Sequence, residues 1–547
     1  MKFGRSYLPA EGIFPFLGLN TLLPSTQLSS GLSPALTNMI PIKGIITKRR
    51  GYTQLGGSFP EPVLALIRFI TDTDDEHLIV VTTNRIVRYD NVSGSWVVMT
   101  PTGWVATEND YIDYCIATGS TDVADGVPTP AAQKTWIIIT NGVIPPVYWD
   151  GDIAQPFKDI RTSPNWNFPN FYTARTVRMF YNHLVFGGIE YTTGSSPFEI
   201  AWGDTYSLVI FNSGNAGQAL LTDTKGTIRR FEQLGDRMIV YTDESIATMS
   251  YIGGNQIYLF EQLIQDVRLV SPKSILSVGT YQLYHARENI KLFDGTRSSP
   301  DVADSIQRSY RDELNMAFRH HSFTFVDTSK NRLYFGVPTS NDETVIYLAE
   351  FDNLIKRDFR WSRHVYHGRL TCMSYYSREQ TLHWNDAELS TKTWDDMSPQ
   401  WGDSSNERGF PVPVVGVWDK DTNTGYVVKL DELSGSDFAS GTSHAIDAVY
   451  ESPDFTTPDE FLSSNASWME IELELRGTVI EVSYSLDQGV TWTILNAELL
   501  LNSAWTRYRL DVQAHGRTFR LRLRDNSTSA SFELRWFRVW LRPGSPI

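Results

Sequence analysis

An all-β fold is what this sequence predicts, on three observations. Short alternating or β-branched runs closed by turns recur along the chain: HLIVVTT at 77–83, RIVRYD at 85–90, WIIIT at 136–140 and RMIVYT at 237–242. Helical periodicity is nearly absent; the best candidate spans about residues 305–319 with Asp304 as N-cap, and a single turn is expected near 33–39. Aromatic residues make up 13% of the 547, a load that suits β-rich interiors and excludes a largely disordered chain.

The strands recur as a unit: an apolar strand, a tight polar turn, then a strand ending in an aromatic or apolar residue followed by Asp and often Gly. It reads RIVRYDN from Arg85, PVYWDGD from Pro146, FEIAWGD from Phe198, IKLFDGT from Ile290 and YLAEFDN from Tyr347. A weaker copy, VVKLDE, starts at Val427, and another unit fits at 236–253, which makes about seven. Repeats of roughly 50 to 60 residues are the spacing of propeller blades, each of which needs neighbours to cover both faces. The expectation is a β-propeller of six or seven blades over residues 61–435, with a row of stacked sandwiches as the competing architecture. Asp90, Asp150, Asp294 and Asp352 are expected to fix the turns of these units through nearby backbone amides.

A Ser-, Gly- and Pro-rich stretch at 434–457 marks a boundary. Beyond it MEIELELR (469–476) and FRLRLR (519–524) place charges on one face and apolar residues on the other, as half-buried strands do. With 479–484 and 534–541 they predict a C-terminal antiparallel β-sandwich over 436–547 carrying an outer Glu/Arg ladder. Residues 1–60 hold Lys2, Arg5, Lys43, Lys48, Arg49 and Arg50 against Glu11 alone, a charge of +5 with little strand alternation. They are expected to form an extended N-terminal arm that docks on a partner and can be removed without unfolding the rest. Ten Arg and nine acids give +1 after residue 460, so of the net −15 the middle carries −21. Acid on that scale repels nucleic acid and argues against a DNA-reading module.

Chemistry is sparse. Cys115 and Cys372 are too few for a disulfide framework or a four-cysteine zinc site. No run approaches the roughly 18 apolar residues of a membrane helix, and residues 12–23, broken by Pro15 and Gly18, lack a leader's cleavage site, so the chain is read as soluble and without a signal peptide. SLDQGVTW (485–492) fits the Asp-box pattern S-x-D-x-G-x-T-W, in which the carboxylate ties its own turn; the structural role is expected. Asp419, Asp421, Asn423 and Gly425 resemble a calcium loop, but Thr424 stands where Gly is needed and Leu430 where the bidentate Glu belongs, so a hairpin turn is expected. His320 with His321, His364 with His367, and the run Asp74, Asp75, Glu76 offer no ligand or acid/base spacing. No residue is assigned to catalysis, to a cofactor or to a metal.

Two segments carry a resemblance. LLPSTQLSSGLSPALTNM (22–39) followed by GIITKRRGYTQL (44–55) resembles the opening of tail proteins of double-stranded-DNA bacteriophages. Residues 236–315, with DRMIVYTDESIATMSYIGG, a VSP turn at 270–272, IKLFDGT and SSPDVADSIQRSYRDELN, look like the tail nozzle, tail tubular or packaged-DNA stabilisation proteins of short-tailed phages. The resemblance implies a non-enzymatic virion protein, assembled in the host cytoplasm, that forms an oligomeric ring, a hexamer in that family. Portal and adaptor rings would sit above it, with a tail needle, fibre or spike below. It would retain packaged DNA and conduct it at ejection, and an acidic lumen would let the duplex slide. The competing readings are a receptor-binding or carbohydrate-adhering tail protein, using Trp468, Trp492, Trp505, Trp536 and Trp540 to stack on sugars, and a glycan hydrolase.

Overall fold

A computed structural model describes residues 8–13, 16–42, 44–73, 75–121, 133–254, 256–354, 356, 358–377, 411–430, 435–456, 466–528 and 531–542. Strands dominate it, as expected, and they fall into several separate sheets. Seven of these follow one another along the chain, each built by antiparallel pairing of consecutive strands. They begin at Val63–Ile70, Asp113–Ser120, Phe171–Phe180, Ile228–Leu234, Leu276–Val278, Phe323–Asp327 and Arg369–Tyr376, and are called sheets I to VII here.

The near-continuous apolar runs follow from burial on both faces. In the strand Gln133–Thr140 of sheet II, Trp136 and Ile138 enter one core while Ile137 and Ile139 enter the next. In Arg237–Thr242 of sheet IV, Met238 and Val240 face one core, and Ile239 and Tyr241 the other. Each sheet is thus sandwiched between its neighbours, and the repeated motif has a fixed place. Arg85 to Asp90, Val147–Trp149, Ile290–Phe293, Thr344–Phe351 and Thr424–Leu430 all supply the third strand of their sheets.

The expected propeller is corrected in three respects. Among the described residues no sheet closes into a barrel or propeller; all are open, and sheets VI and VII run on into ten- and six-stranded sheets shared with both ends of the chain. The described residues of the N-terminal segment form no extended arm either. Tyr52–Phe59 pairs with Thr424–Leu430, Ala35–Thr37 lies between Phe359–Val365 and Ala448–Glu451, and Ile45–Lys48 joins Phe532–Arg542. Phe16, Leu19, Leu36, Met39 and Ile46 are buried with Ile471, Leu473, Phe537 and Val539 in one core. The C-terminal strands therefore form no self-standing sandwich. The physical reason is the sheet edge: an unpaired row of N–H and C=O groups is satisfied by pairing, and the N-terminal segment supplies the partners.

Two of the basic residues of that segment, Lys48 and Arg49, are buried. Lys48 pairs with Asp525 at 2.9 Å. Arg49, with a side chain 1% exposed, donates to both Asp437 carboxylate oxygens at 2.7 Å, to Asn38 Oδ1 at 3.0 Å and to the Val365 carbonyl at 2.9 Å, and lies 3.9 Å from the centre of the Tyr366 ring. The helix expected over 305–319 is shorter, Gln307–Glu313, with a 3-10 turn at Asp304–Ile306 before it and another at Met316–His321. The turn expected near 33–39 is strand instead. Among the described residues no helix is long and apolar enough to cross a membrane.

Candidate functional site

The first strands of all seven sheets converge on a central cavity of about 560 Å³. Four of its five charged side chains neutralise one another, and the fifth is Lys273. Arg178 pairs with Asp113 at 2.7 Å and approaches Glu232 at 3.6 Å; Arg230 pairs with Glu232 at 2.8 Å. Tyr111 donates to Asp113 at 3.0 Å, and Ser277 to Glu232 at 3.1 Å. Phe323, Phe325, Met179, Ile275 and Tyr375 make much of the remaining wall. The acid of the middle segment does not gather here.

Beside the cavity, and sharing Tyr111 and Lys273 with it, lies a polar cleft of about 320 Å³. Arg175, Arg229, Lys273, Arg319 and His320 line it, together with Asp110, Asp243, Asn109 and Asn141. Asp243 is held by Arg229 at 2.6 Å and by the Thr227 hydroxyl at 2.8 Å. Asp110 accepts from the Thr107 amide and hydroxyl, which fixes its loop. Among the described residues no carboxylate lies within ion-pair distance of Arg175, Lys273 or Arg319. With four cations against two carboxylates, the cleft carries a formal +2 inside a protein of −15.

Local backbone chemistry sets these side chains. Arg175 donates to Thr227 at 3.0 Å and threads between Gly142 (φ +70°) and Gly188 (φ +65°). A Cβ at either glycine would meet the Arg175 side chain at 3.2 Å or closer, in a conformation that L residues disfavour. Lys273 follows the VSP turn: Ser271 Oγ accepts its backbone N–H at 3.3 Å and Pro272 opens a 3-10 turn. Burial pulls the Lys273 ammonium below its ordinary value and does the same to the Arg175 guanidinium, with Arg229 adding to the latter. His320 is pushed down to about 4 by burial and then by His321 beside it. Behind the cleft Glu108 is held at about 2 by His321, 3.4 Å away, and by Arg369 at 2.7 Å.

The depressed histidines give a pH prediction. His320 and His285, the latter lowered to about 3 by burial, stay neutral in the fold while the unfolded chain takes up protons near 6.5. Stability is therefore expected to fall as pH drops from about 6.5 toward 4. Thermal melts across this range check it; a melting temperature that rises on acidification would contradict it.

The motifs singled out in the sequence are structural. Asp487 accepts from the Thr491 amide at 2.9 Å and hydroxyl at 2.6 Å, and Ser485 from the Gly489 amide at 2.8 Å, so the Asp box ties its own turn. The Thr491 hydroxyl, then its amide, hold the Asp487 carboxyl down at about 2. Asp487→Ala is expected to lower the melting temperature and leave ligand binding unchanged, which calorimetry and titration of the same variant check. Asp419 accepts from the Asp421 amide at 2.9 Å within a tight hairpin, and no metal-holding cluster occurs among the described residues. Asp90, Asp150 and Asp294 accept turn amides, whereas Asp352 grips Arg360 at 2.8 Å. Asp294→Ala is expected to cost about 1 kcal/mol in a denaturant melt. Asp74 lies outside the described residues, and Glu76 pairs with Arg68 at 2.7 Å. His364 bonds Ser362 in the core and His367 stacks on His444.

The tryptophans expected to stack on sugars are otherwise engaged. Trp468 is fully buried and donates to the Gly516 carbonyl. Arg522 lies 3.5 Å from the Trp492 ring centre, Arg476 4.8 Å from Trp505, Arg507 5.3 Å from Trp536 and Arg538 5.6 Å from Trp540. Sequence reasoning missed the cleft because its residues come from several sheets and share no spacing; the VSP turn before Lys273 and His320 stood out, neither with a role in such a site.

No protein-family model matches the chain, and neither does any curated protein. Solved structures do match. One titled a glycoside hydrolase is 11% identical, with 89% of this chain and 99% of that one covered and a TM-score of 0.24. An exo-β-1,3-galactanase from Phanerochaete chrysosporium with galactose is 9% identical over 69% of this chain and 98% of that one, at a TM-score of 0.24. YCF48 from Cyanidioschyzon merolae is 9% identical over 70% and 98%, at 0.36. The expectation of a DNA-conducting tail nozzle is withdrawn: no phage-related family or relative was found, and the matching structures named here carry other titles, glycoside hydrolases among them. The flat exclusion of a reaction is withdrawn with it. At such identities and scores the likeness concerns strand architecture and assigns this chain no activity.

Proposed function

We propose that the protein adheres to acidic saccharides through the cleft between Arg175, Arg229, Lys273 and Arg319. One observation carries the reading: three cations with no carboxylate in ion-pair distance among the described residues converge on a polar space of about 320 Å³, the scale of a small-ligand site. A uronate carboxylate or a sulfate supplies the missing acceptors, and Arg presents a planar fork that matches a carboxylate. Asn109 and the Asp243 carboxylate offer the mixed donors and acceptors that sugar hydroxyls need, beside the Tyr111 ring. The resemblance of residues 22–55 and 236–315 to phage tail proteins supports a setting on a virion, where the saccharide would be a bacterial surface polymer.

The test is titration of the full chain with an oligomer of glucuronate and with its neutral glucose counterpart. Binding of the acidic oligomer alone, weakened by added salt, is the expected result. Equal binding of both oligomers would refute the reading.

A further inference from the structure

The cleft and the central cavity differ in what they can hold. The cleft has an excess of positive charge; the cavity has about 560 Å³ of space, an apolar and aromatic wall and, apart from the Lys273 that it shares with the cleft, charges already spent on one another through Arg178, Asp113, Arg230 and Glu232. An anion entering the cavity would have to compete with Asp113 and Glu232 for those guanidiniums. An uncharged apolar group loses nothing there and gains the burial of its surface.

The two spaces share Tyr111 and Lys273. Tyr111 is fixed by its hydrogen bond to Asp113. Lys273 has no side-chain partner among the described residues, and its four-carbon stem is flexible, so the shared wall has one movable member. Its ammonium also marks where the anionic part of a ligand must end.

We infer that the ligand is an acidic saccharide carrying an uncharged apolar substituent, with the acid among Arg175, Arg229 and Lys273 and the apolar group in the central cavity. This rests on the reading of the cleft as an acidic-saccharide site. An acyl chain and an aryl glycoside share the required chemistry, and both go to the same place.

The experiment compares methyl β-D-glucuronide with 4-nitrophenyl and with octyl β-D-glucuronide by titration of the full chain. The apolar substituents are expected to tighten binding about tenfold or more, in proportion to the apolar surface that leaves water. In Met179→Trp and, separately, Leu276→Trp, which fill the cavity from two sheets, the ratio of substituted to methyl glucuronide is expected to fall toward one. Two variants on different sheets guard against one failing to fold. A ratio near one in the unaltered protein, or a high ratio that survives both tryptophans, overturns the inference. If methyl glucuronide itself binds and Arg175→Ala weakens it, the cleft reading stands even when the ratio fails. If octyl glucuronide alone gains, the substituent is an acyl-type chain; if both gain, an aryl group serves as well, and either result supports the cavity.

Discussion

Arg49→Ala is expected to destabilise the protein by about 3–5 kcal/mol, the cost typical of breaking a buried pair by removing one partner. The guanidinium joins three parts of the molecule that are distant in sequence: Asn38 in the N-terminal strands, Val365 and the Tyr366 ring at the end of sheet VI, and Asp437 near the C-terminal strands. Removing it leaves the Asp437 carboxylate buried with the His367 amide, 3.2 Å away, as its one remaining donor among the described residues. Equilibrium denaturation reads the loss. Deletion of residues 2–40 is expected to go further and abolish the cooperative melt, because Phe16, Leu19, Leu36 and Met39 would leave the core they share with the C-terminal strands. The +5 of this segment, read from sequence as a removable docking arm, is thus spent in part on internal pairing.

The second large effect concerns binding. Arg175→Ala is expected to weaken the acidic oligosaccharide by about 10- to 100-fold, the worth of one hydrogen bond between charged groups. Combined with Lys273→Ala the loss is expected to exceed that of either alone and to remove detectable binding. The two cations approach from sheet III and from the turn before sheet V, and neither has a carboxylate within ion-pair distance among the described residues, so their removal strands no internal acid. Stability is therefore expected to change little. A thermal melt of each variant separates lost affinity from lost fold, and a double variant that melts normally yet binds as before would remove the cleft from the account.

What could be read from the sequence was local. The alternation of MEIELELR places Ile471, Leu473 and Leu475 in the core and leaves Glu472 to pair with Arg509 at 3.2 Å, as period-two patterning requires. The strand-turn-Asp unit marked the third strand of sheet after sheet because its turn chemistry is carried by neighbouring residues. What failed was everything set by distant partners. Tyr52–Phe59, interrupted by Gly56 and Gly57, has little alternation of its own and becomes a strand because Thr424–Leu430 presents an open edge to it. Arg49 looks like a surface cation until Asp437, 388 residues away, closes on it. The cleft was illegible for the same reason: Arg175, Arg229, Lys273 and Arg319 acquire meaning only when the fold brings them to one place, where among the described residues only Arg229 has an acid, Asp243, in ion-pair distance.

The central claim is that this cleft recognises acid on a saccharide, and calorimetric titration of the full chain with a glucuronate oligomer and its neutral glucose counterpart tests it most directly. The account predicts saturable binding of the acidic oligomer at one site per chain, weaker at high salt, and lost in the double variant Arg175→Ala, Lys273→Ala. Equal affinity for the neutral oligomer, or acidic binding that the double variant leaves intact, would contradict it.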